Sequence, residues 1–233
     1  SANHAAFNLI FRFVENYVSP IAGRISSQRH VMAIRDGFIS AMPFMIVGSF
    51  LLVFASPPFS PDTTWGFARA WLDMAKQFEG QILTPFDMTM GIMSIYICAA
   101  IAYNLGKHYV KTHQLDPFMC AMLSLMAFLL VAAPKTKGTL PVDSLGGTGI
   151  FTAILVAIYC VEMMRFLKAH NIGIRLPDQV PPMIKNSFDL LIPVLVVVLT
   201  LYPLSLVIKA QFDMLIPQAI MSIFKPLVSA ADS

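Results

Sequence analysis

Long runs of apolar residues alternate with short polar segments along the chain, and this pattern predicts membrane-spanning helices. A spanning helix needs about 20 mostly apolar residues, because the hydrocarbon core of a bilayer is roughly 30 Å thick. Five runs approach this length and contain no Lys, Arg, Asp or Glu: residues 37–61, 88–106, 117–134, 144–161 and 190–208. We therefore expect an all-α, polytopic membrane helix bundle with about five transmembrane helices.

Proline and glycine residues mark the expected ends of these helices. The first helix should stop before Pro57, because proline cannot continue it. The fourth should begin near Gly149, after a glycine-rich start, and continue past Glu162. Pro193 and Pro203 lie within the fifth run, where neighbouring helices or a local kink must satisfy the freed backbone groups.

Three segments outside these runs place apolar residues at helical spacing beside a polar face, which predicts amphipathic helices. The first stripe covers residues 7–18 and should end at Pro20, and the second covers residues 65–78 and should end at Gly80. The third covers residues 212–227. Each pattern suits a helix on the membrane surface and equally a helix packed on its own bundle, because both surroundings are apolar on one side.

The composition supports a membrane protein and excludes other classes. Hydrophobic residues make up 57% of the chain and charged residues 12%, whereas soluble domains are about one-quarter charged. A net charge of +3 without a basic block gives no surface for nucleic acid. Cys98, Cys120 and Cys160 each fall within an apolar run, so we expect buried thiols rather than disulfides.

The Lys and Arg residues of the connecting segments predict the orientation of the bundle, because basic residues are retained on the cytoplasmic side. Ten of them lie before the first helix, between the second and third, and between the fourth and fifth. The opposite set of segments carries six. We therefore expect the N-terminus in the cytoplasm and the C-terminus outside.

Few ionisable residues approach membrane depth, and we interpret those few as structural. Arg35 and Asp36 lie at the start of the first span, and Glu162 and Arg165 are three residues apart on one face of the fourth helix. Exposed pairs of this kind contribute little energy and serve as anchors. The histidines lack metal-ligand spacing and no cysteine has a neighbouring base, so we expect no metal, no cofactor and no catalytic residue. A membrane enzyme that uses Glu162 or Asp36 as an acid or base is the alternative.

Small residues on the first two spans would let helices approach each other closely. They are candidates for helix packing or for a dimer interface: Gly48, Ser49, Ala99, Ala102 and Gly106.

Two stretches carry more specific patterns. Residues 30–50 open the first span with His30, Arg35, Asp36, Gly37 and Pro43. Residues 175–193 lead into the fifth span with Pro177, Asp178, Pro181, Ser187, Phe188 and Pro193. Both stretches resemble the lactose/cellobiose/diacetylchitobiose family of phosphotransferase-system (PTS) sugar permeases, known as enzyme IIC, and the resemblance extends over essentially the whole chain.

The resemblance implies a transporter of the bacterial inner membrane that carries a sugar inward, usually a β-disaccharide such as cellobiose, diacetylchitobiose or lactose. A phosphocysteine on a separate cytoplasmic IIB subunit would phosphorylate that sugar. Family members are longer and place their sugar-binding histidine and glutamate in a second half, so no sugar-binding residue is expected in this chain. The resemblance assigns residues 37–208 to a dimerising scaffold domain, 1–36 to an amphipathic lead-in and 209–233 to a connector.

Physical chemistry independently predicts that this chain supplies a scaffold and that the sugar is bound elsewhere. Spans without a polar lining cannot replace the water around a sugar, and each unpaired hydroxyl costs about 1 to 3 kcal/mol. We therefore expect this chain to be inactive alone. The alternative is a regulatory membrane module that does not transport and that forms mixed dimers with a full permease.

Overall fold

The computed structural model describes residues 2–231, so Ser1 and the last two residues of the predicted connector, Asp232 and Ser233, lie outside the described residues. The described chain is helical and its helices are joined mostly by short loops. In chain order the helices are α1 Ala2–Phe13, α2 Ser19–Ser27, α3 Arg29–Ala55, α4 Gly66–Met88, α5 Met93–His108, α6 Val110–His113, α7 Pro117–Ala132, α8 Ile150–Ala169, α9 Pro182–Asp189, α10 Leu191–Phe212 and α11 Ile216–Ala231.

Within residues 2–231, four helical segments are long and apolar enough to cross a membrane: Arg29–Ala55, Met90–His108, Gly147–Ala169 and Pro182–Phe212. Helix α7 has 16 residues and is apolar but shorter. It packs between α5 and α8, and half of its residues are buried there. The predicted all-α membrane bundle is confirmed, with four helices of spanning length and α7 as a shorter fifth.

Helix α3 begins at Arg29, before the apolar run at 37–61. The Gln28 side chain explains the early start, because its Oε1 accepts hydrogen bonds from the backbone N–H groups of His30 at 2.8 Å and Val31 at 3.0 Å. These two bonds satisfy amide groups that the first helical turn leaves without partners. A side-chain cap, rather than hydrophobicity, therefore sets the start of this helix.

Residues 2–27, which we call the arm, form one nearly continuous helical rod. The expectation that Pro20 ends the first amphipathic helix is wrong, because helix α2 runs through it to Ser27. A π turn at Val14–Val18 lies immediately before, where the proline ring would otherwise meet a carbonyl of the preceding turn. Every residue of the arm is exposed, so this amphipathic segment does not pack on its own bundle.

The other two amphipathic segments do pack on the bundle. Helix α4 lies along α3 through the buried Ala68 and Ala75. Its helical geometry breaks at Phe78, with φ −112° and ψ 17°, two residues before the expected end at Gly80, and helical turns then resume as far as Met88. Helix α11 packs against α8, where the rings of Phe151 and Phe224 stack at 4.6 Å. The same kind of apolar stripe is therefore exposed in the arm and packed against the bundle in α4 and α11.

The core of the bundle is built from α3, α5, α7 and α8, and α10 covers one side of it. Gly37 on α3 faces Ile101 on α5, which brings these two antiparallel helices into close contact. Cys98, Cys120 and Cys160 are free and buried in this core, as the sequence predicts.

Candidate functional site

Polar side chains gather where α3 begins and where α5 and α8 end, which we call the His30 end of the bundle. Three segments that are distant in sequence meet there through one carboxylate. Glu162 Oε1 lies 2.7 Å from His30 Nε2 and accepts a hydrogen bond from the Tyr109 hydroxyl at 2.5 Å. Glu162 Oε2 lies 2.5 Å from the guanidinium of Arg165, so the ion pair predicted from the three-residue spacing is confirmed. Because hydrogen bonds to a charged acceptor are stronger than neutral ones, this arrangement ties α3 and α5 to α8.

The hydrogen bonds of this network determine which tautomer a neutral His30 ring adopts. The Gln28 side-chain oxygen is occupied by two backbone N–H groups, so its NH₂ group faces His30 Nδ1, at 2.5 Å. An amide NH₂ can only donate, which makes Nδ1 the acceptor. The ring proton therefore lies on Nε2, which donates it to Glu162.

Tyr109, which directly follows the spanning segment Met90–His108, is 1% exposed and lies at the centre of the charged groups. The guanidinium carbons of Arg165 and Arg29 lie 4.8 and 5.4 Å from its ring centroid, within cation–π range. Burial raises the pKa of the Tyr109 phenol and its bond to Glu162 raises it further, although the two arginines oppose that rise. The phenol therefore keeps its proton and acts as a donor to Glu162. We call Arg29, His30, Tyr109, Glu162 and Arg165 the Glu162 cluster.

A cavity of about 470 Å³ opens beside the Glu162 cluster. It lies between α6, the end of α8, the loop that follows α8 and the start of α10, and many of its lining groups are polar. Lys168 and Asp189, both in its wall, form an ion pair at 2.8 Å. The cavity lies at the end of the bundle rather than between the spans.

Asp116 connects α7 to α9 at the same end. Its Oδ1 accepts a hydrogen bond from the Phe118 backbone N–H at 2.9 Å and caps α7, while its Oδ2 accepts one from the Asn186 amide at 3.0 Å. The Asp116 carboxylate thus caps the start of α7 and binds a side chain of α9.

We expect Asp116→Ala to lower the apparent Tm more than Asn186→Ala, because only the former removes the α7 cap. A lost N-cap costs about 1 kcal/mol, which corresponds to about 2 to 4 °C in a chain of this size. Thermal unfolding of both variants in one detergent, followed by circular dichroism, measures the difference. Asp116→Asn retains a capping oxygen and should stay close to the wild type, and an equal loss in all three variants would contradict the capping role.

The residues of the first family-like stretch have separate surroundings. His30 belongs to the Glu162 cluster, Arg35 and Asp36 pair with each other at 3.1 Å, and Gly37 faces α5. Pro43 lies inside α3 with its ring exposed. The stretch therefore begins at the candidate site and continues into helix packing.

The second stretch forms the loop and short helix beside the cavity. Asp178 lies 3.7 Å from Lys185, and Pro193 lines the cavity wall. The remaining members lie in the second half of the loop, at the cap of α9 or on the surface of α9: Pro177, Pro181, Ser187 and Phe188.

The small residues proposed for close packing lie mostly inside the bundle. Gly48 faces Met90, Ala102 is fully buried and Gly106 faces Cys120. The remaining two are a half-buried and an exposed residue: Ala99 and Ser49.

Comparisons with known proteins agree with this architecture. The profile of the family described as "Phosphotransferase system, EIIC" matches residues 35–231. The crystal structure of the transporter ChbC, the IIC component from the N,N'-diacetylchitobiose-specific phosphotransferase system, superimposes with a TM-score of 0.78 at 32% identity. The superposition covers 94% of this chain and 52% of ChbC.

Curated relatives have the same kind of description. The chain is 37% identical over 206 residues to the PTS system cellobiose-specific EIIC component of Geobacillus stearothermophilus, which covers 80% of this chain and 43% of the relative. The Lichenan permease IIC component of Bacillus subtilis (strain 168) is 33% identical, with coverages of 87% and 46%. The PTS system lactose-specific EIICB component of Lactococcus lactis subsp. lactis is 32% identical, with coverages of 91% and 37%. The chain thus spans less than half the length of these curated relatives.

Proposed function

This chain belongs to the phosphotransferase system EIIC family, and from that premise we propose that it is the N-terminal, scaffold half of a PTS sugar permease. Such a permease would carry a sugar inward and present it for phosphorylation. The relatives named for cellobiose, lichenan and lactose support a β-disaccharide as the cargo. The observation that carries the proposal is the family match over residues 35–231, which includes all the spanning helices except the first turns of α3.

The interior of the bundle supports a scaffold rather than a sugar site. Its buried polar side chains are isolated hydroxyls, among them Ser94, Ser124 and Thr152. A disaccharide carries many hydroxyls, and leaving each one unpaired in an apolar interior costs about 1 to 3 kcal/mol. The sugar would therefore be bound by residues outside this chain, and the chain would be inactive alone.

The partners and orientation follow from the same proposal. The phosphoryl donor would be a IIB component, in agreement with relatives that are named EIICB. A homodimer would form through an exposed apolar face of α3, opposite the small residues of α3 that pack inside the chain. The exposed face consists of six large apolar residues: Ile39, Met42, Ile46, Val47, Phe50 and Val53. The basic His30 end would face the cytoplasm, because basic segments are retained there.

A chimera tests the scaffold role directly. The segment of the Geobacillus stearothermophilus cellobiose-specific EIIC component that aligns with residues 35–231 would be replaced by this chain's residues. We expect proteoliposomes that contain the chimera to phosphorylate cellobiose when phosphorylated IIB is supplied, at a rate within about tenfold of the parent, because the scaffold supplies packing rather than sugar contacts.

Two controls complete the chimera experiment. The chain alone should give no sugar phosphorylation above protein-free vesicles. A chimera that folds and self-associates but phosphorylates no sugar would contradict the scaffold role. Phosphorylation by the chain alone would contradict the assignment of the sugar site to another half. Copurification of the chain with the intact parent, together with a loss of the parent's activity, would instead favour the regulatory module.

A further inference from the structure

The connection between the arm and the bundle is confined to a few residues. Helix α2 ends at Ser27, Gln28 is extended with a ψ of 136°, and α3 begins at Arg29. None of the residues 2–27 is buried, so the arm has no packed face that fixes its direction. The direction of this arm therefore depends on how Gln28 and His30 are held.

Gln28 performs two tasks with one amide group. Its Oε1 caps α3 by accepting from the N–H groups of His30 and Val31, while its NH₂ donates to His30 Nδ1. Both tasks are compatible only while Nδ1 is an acceptor, which requires a neutral imidazole. A second proton on the ring would place an N–H opposite the amide NH₂, and two donors cannot share a hydrogen bond.

We propose that Gln28 and His30 form a pH-sensitive hinge, in which protonation of His30 removes the cap of α3 and frees the arm to change direction. The proton comes from solvent and binds Nδ1. The Gln28 amide then rotates so that its Oε1 accepts from the new Nδ1–H, which withdraws that oxygen from the two backbone N–H groups. His30 Nε2 keeps its bond to Glu162, and this bond becomes an ion pair.

The charged groups around His30 act in opposite directions on this exchange. Glu162, on α8, favours the imidazolium because its carboxylate is 2.7 Å from Nε2. Arg165 on α8 and Arg29 on α3 itself oppose it, since both guanidinium groups gather around the adjacent Tyr109 ring. Tyr109 is a neutral donor to the same Glu162 oxygen, and His113 on α6 reaches only the edge of the Tyr109 ring. Gln28 is therefore the contact that changes most when the ring is protonated.

Hydrogen exchange of the His30 and Val31 amides tests the hinge. The whole chain would be placed in lipid nanodiscs, and exchange, corrected for the intrinsic pH dependence, would be followed from about pH 8 to about pH 5, where imidazole changes charge. We expect protection of these two amides to fall about fivefold in acid, the equivalent of one lost N-cap. The amide of Ala41, in the middle of α3, should keep its protection.

Two variants separate the hinge from a purely structural cap. In Gln28→Ala both amides should be weakly protected at every pH, because the cap is absent. In His30→Gln the cap remains and no ring can be protonated, so protection should stay high throughout the range. Equal protection of the wild type at both ends of the range would overturn the proposal. A fall that persists in His30→Gln would also overturn it, since a group other than His30 would then be responsible. The outcome is independent of sugar transport.

Discussion

Replacing Glu162 by alanine should lower the apparent Tm of the chain by about 6 to 12 °C. The substitution removes the common acceptor of His30, Tyr109 and Arg165 and leaves Arg165 without its ion-pair partner. Each hydrogen bond to a charged group contributes about 1.5 to 3 kcal/mol, but the Glu162 side chain is 23% exposed, so solvent offsets part of the loss. A net cost of about 3 kcal/mol corresponds to that change in Tm for a chain of this size.

Two further variants make the Glu162 experiment specific. Glu162→Gln keeps an acceptor oxygen but loses the charge that attracts Arg165, so it should fall between the wild type and the alanine variant. Glu79→Ala removes an exposed carboxylate on α4 that forms no ion pair within residues 2–231, and it should leave Tm unchanged. All three variants would be melted in the same detergent and followed by circular dichroism. If Glu79→Ala and Glu162→Ala had the same Tm, the Glu162 cluster would have no special role in stability.

The positions of the spans could be predicted from the sequence because their signal is local. An apolar run of sufficient length determines a spanning helix without reference to other parts of the chain. The run at 190–208 is matched by α10 at Leu191–Phe212, and that at 88–106 by the segment Met90–His108. The start of α3 could not be read in the same way, since Gln28 is not among the usual capping residues and its role depends on side-chain geometry.

The Glu162 cluster was beyond the reach of sequence patterns because its members are far apart. Glu162 lies 132 residues from His30 and 53 from Tyr109, and only the packing of three helices brings them together. One signal was available: alternate connecting segments of an antiparallel bundle must lie at the same end. Pairing polar residues among those segments would have made His30 and Glu162 candidates, but the register of α3 against α8 decides whether they touch.

The surroundings of the amphipathic helices also could not be predicted. The arm and α4 both show an apolar stripe, yet the arm is exposed throughout while α4 buries Ala68 and Ala75 against α3. A stripe measures only that one face prefers an apolar contact. Lipid and protein both satisfy that preference, so the pattern leaves the choice to the loops that place each helix.

Replacing Gly37 by leucine should disrupt the bundle at its closest helix contact. A Cβ atom at Gly37 would lie closest to the Cγ1 atom of Ile101 and 2.9 Å from its backbone nitrogen, distances that real Cβ atoms essentially never show. Backbone atoms cannot rotate aside, so α3 and α5 must separate along their contact. Overpacking a core costs about 1 to 3 kcal/mol and occasionally more, and we expect about 3 kcal/mol or more here because backbone must move.

The separation should also reach the candidate site, because Gly37 lies two helical turns from His30 on the same helix. Moving α3 away from α5 would lengthen the bond between His30 and Glu162, so Gly37→Leu should combine a lower Tm with weaker protection of the Tyr109 segment. Melting and size-exclusion profiles in detergent measure the loss of folded material. Gly80→Leu is the matched control, since no atom lies within 4 Å of its Cβ and the helix gains propensity. Because the backbone nitrogen of Ile101 obstructs the new side chain as well as its Cγ1 atom, adding Ile101→Ala should rescue Gly37→Leu only in part. A full rescue would place the obstacle in the Ile101 side chain alone.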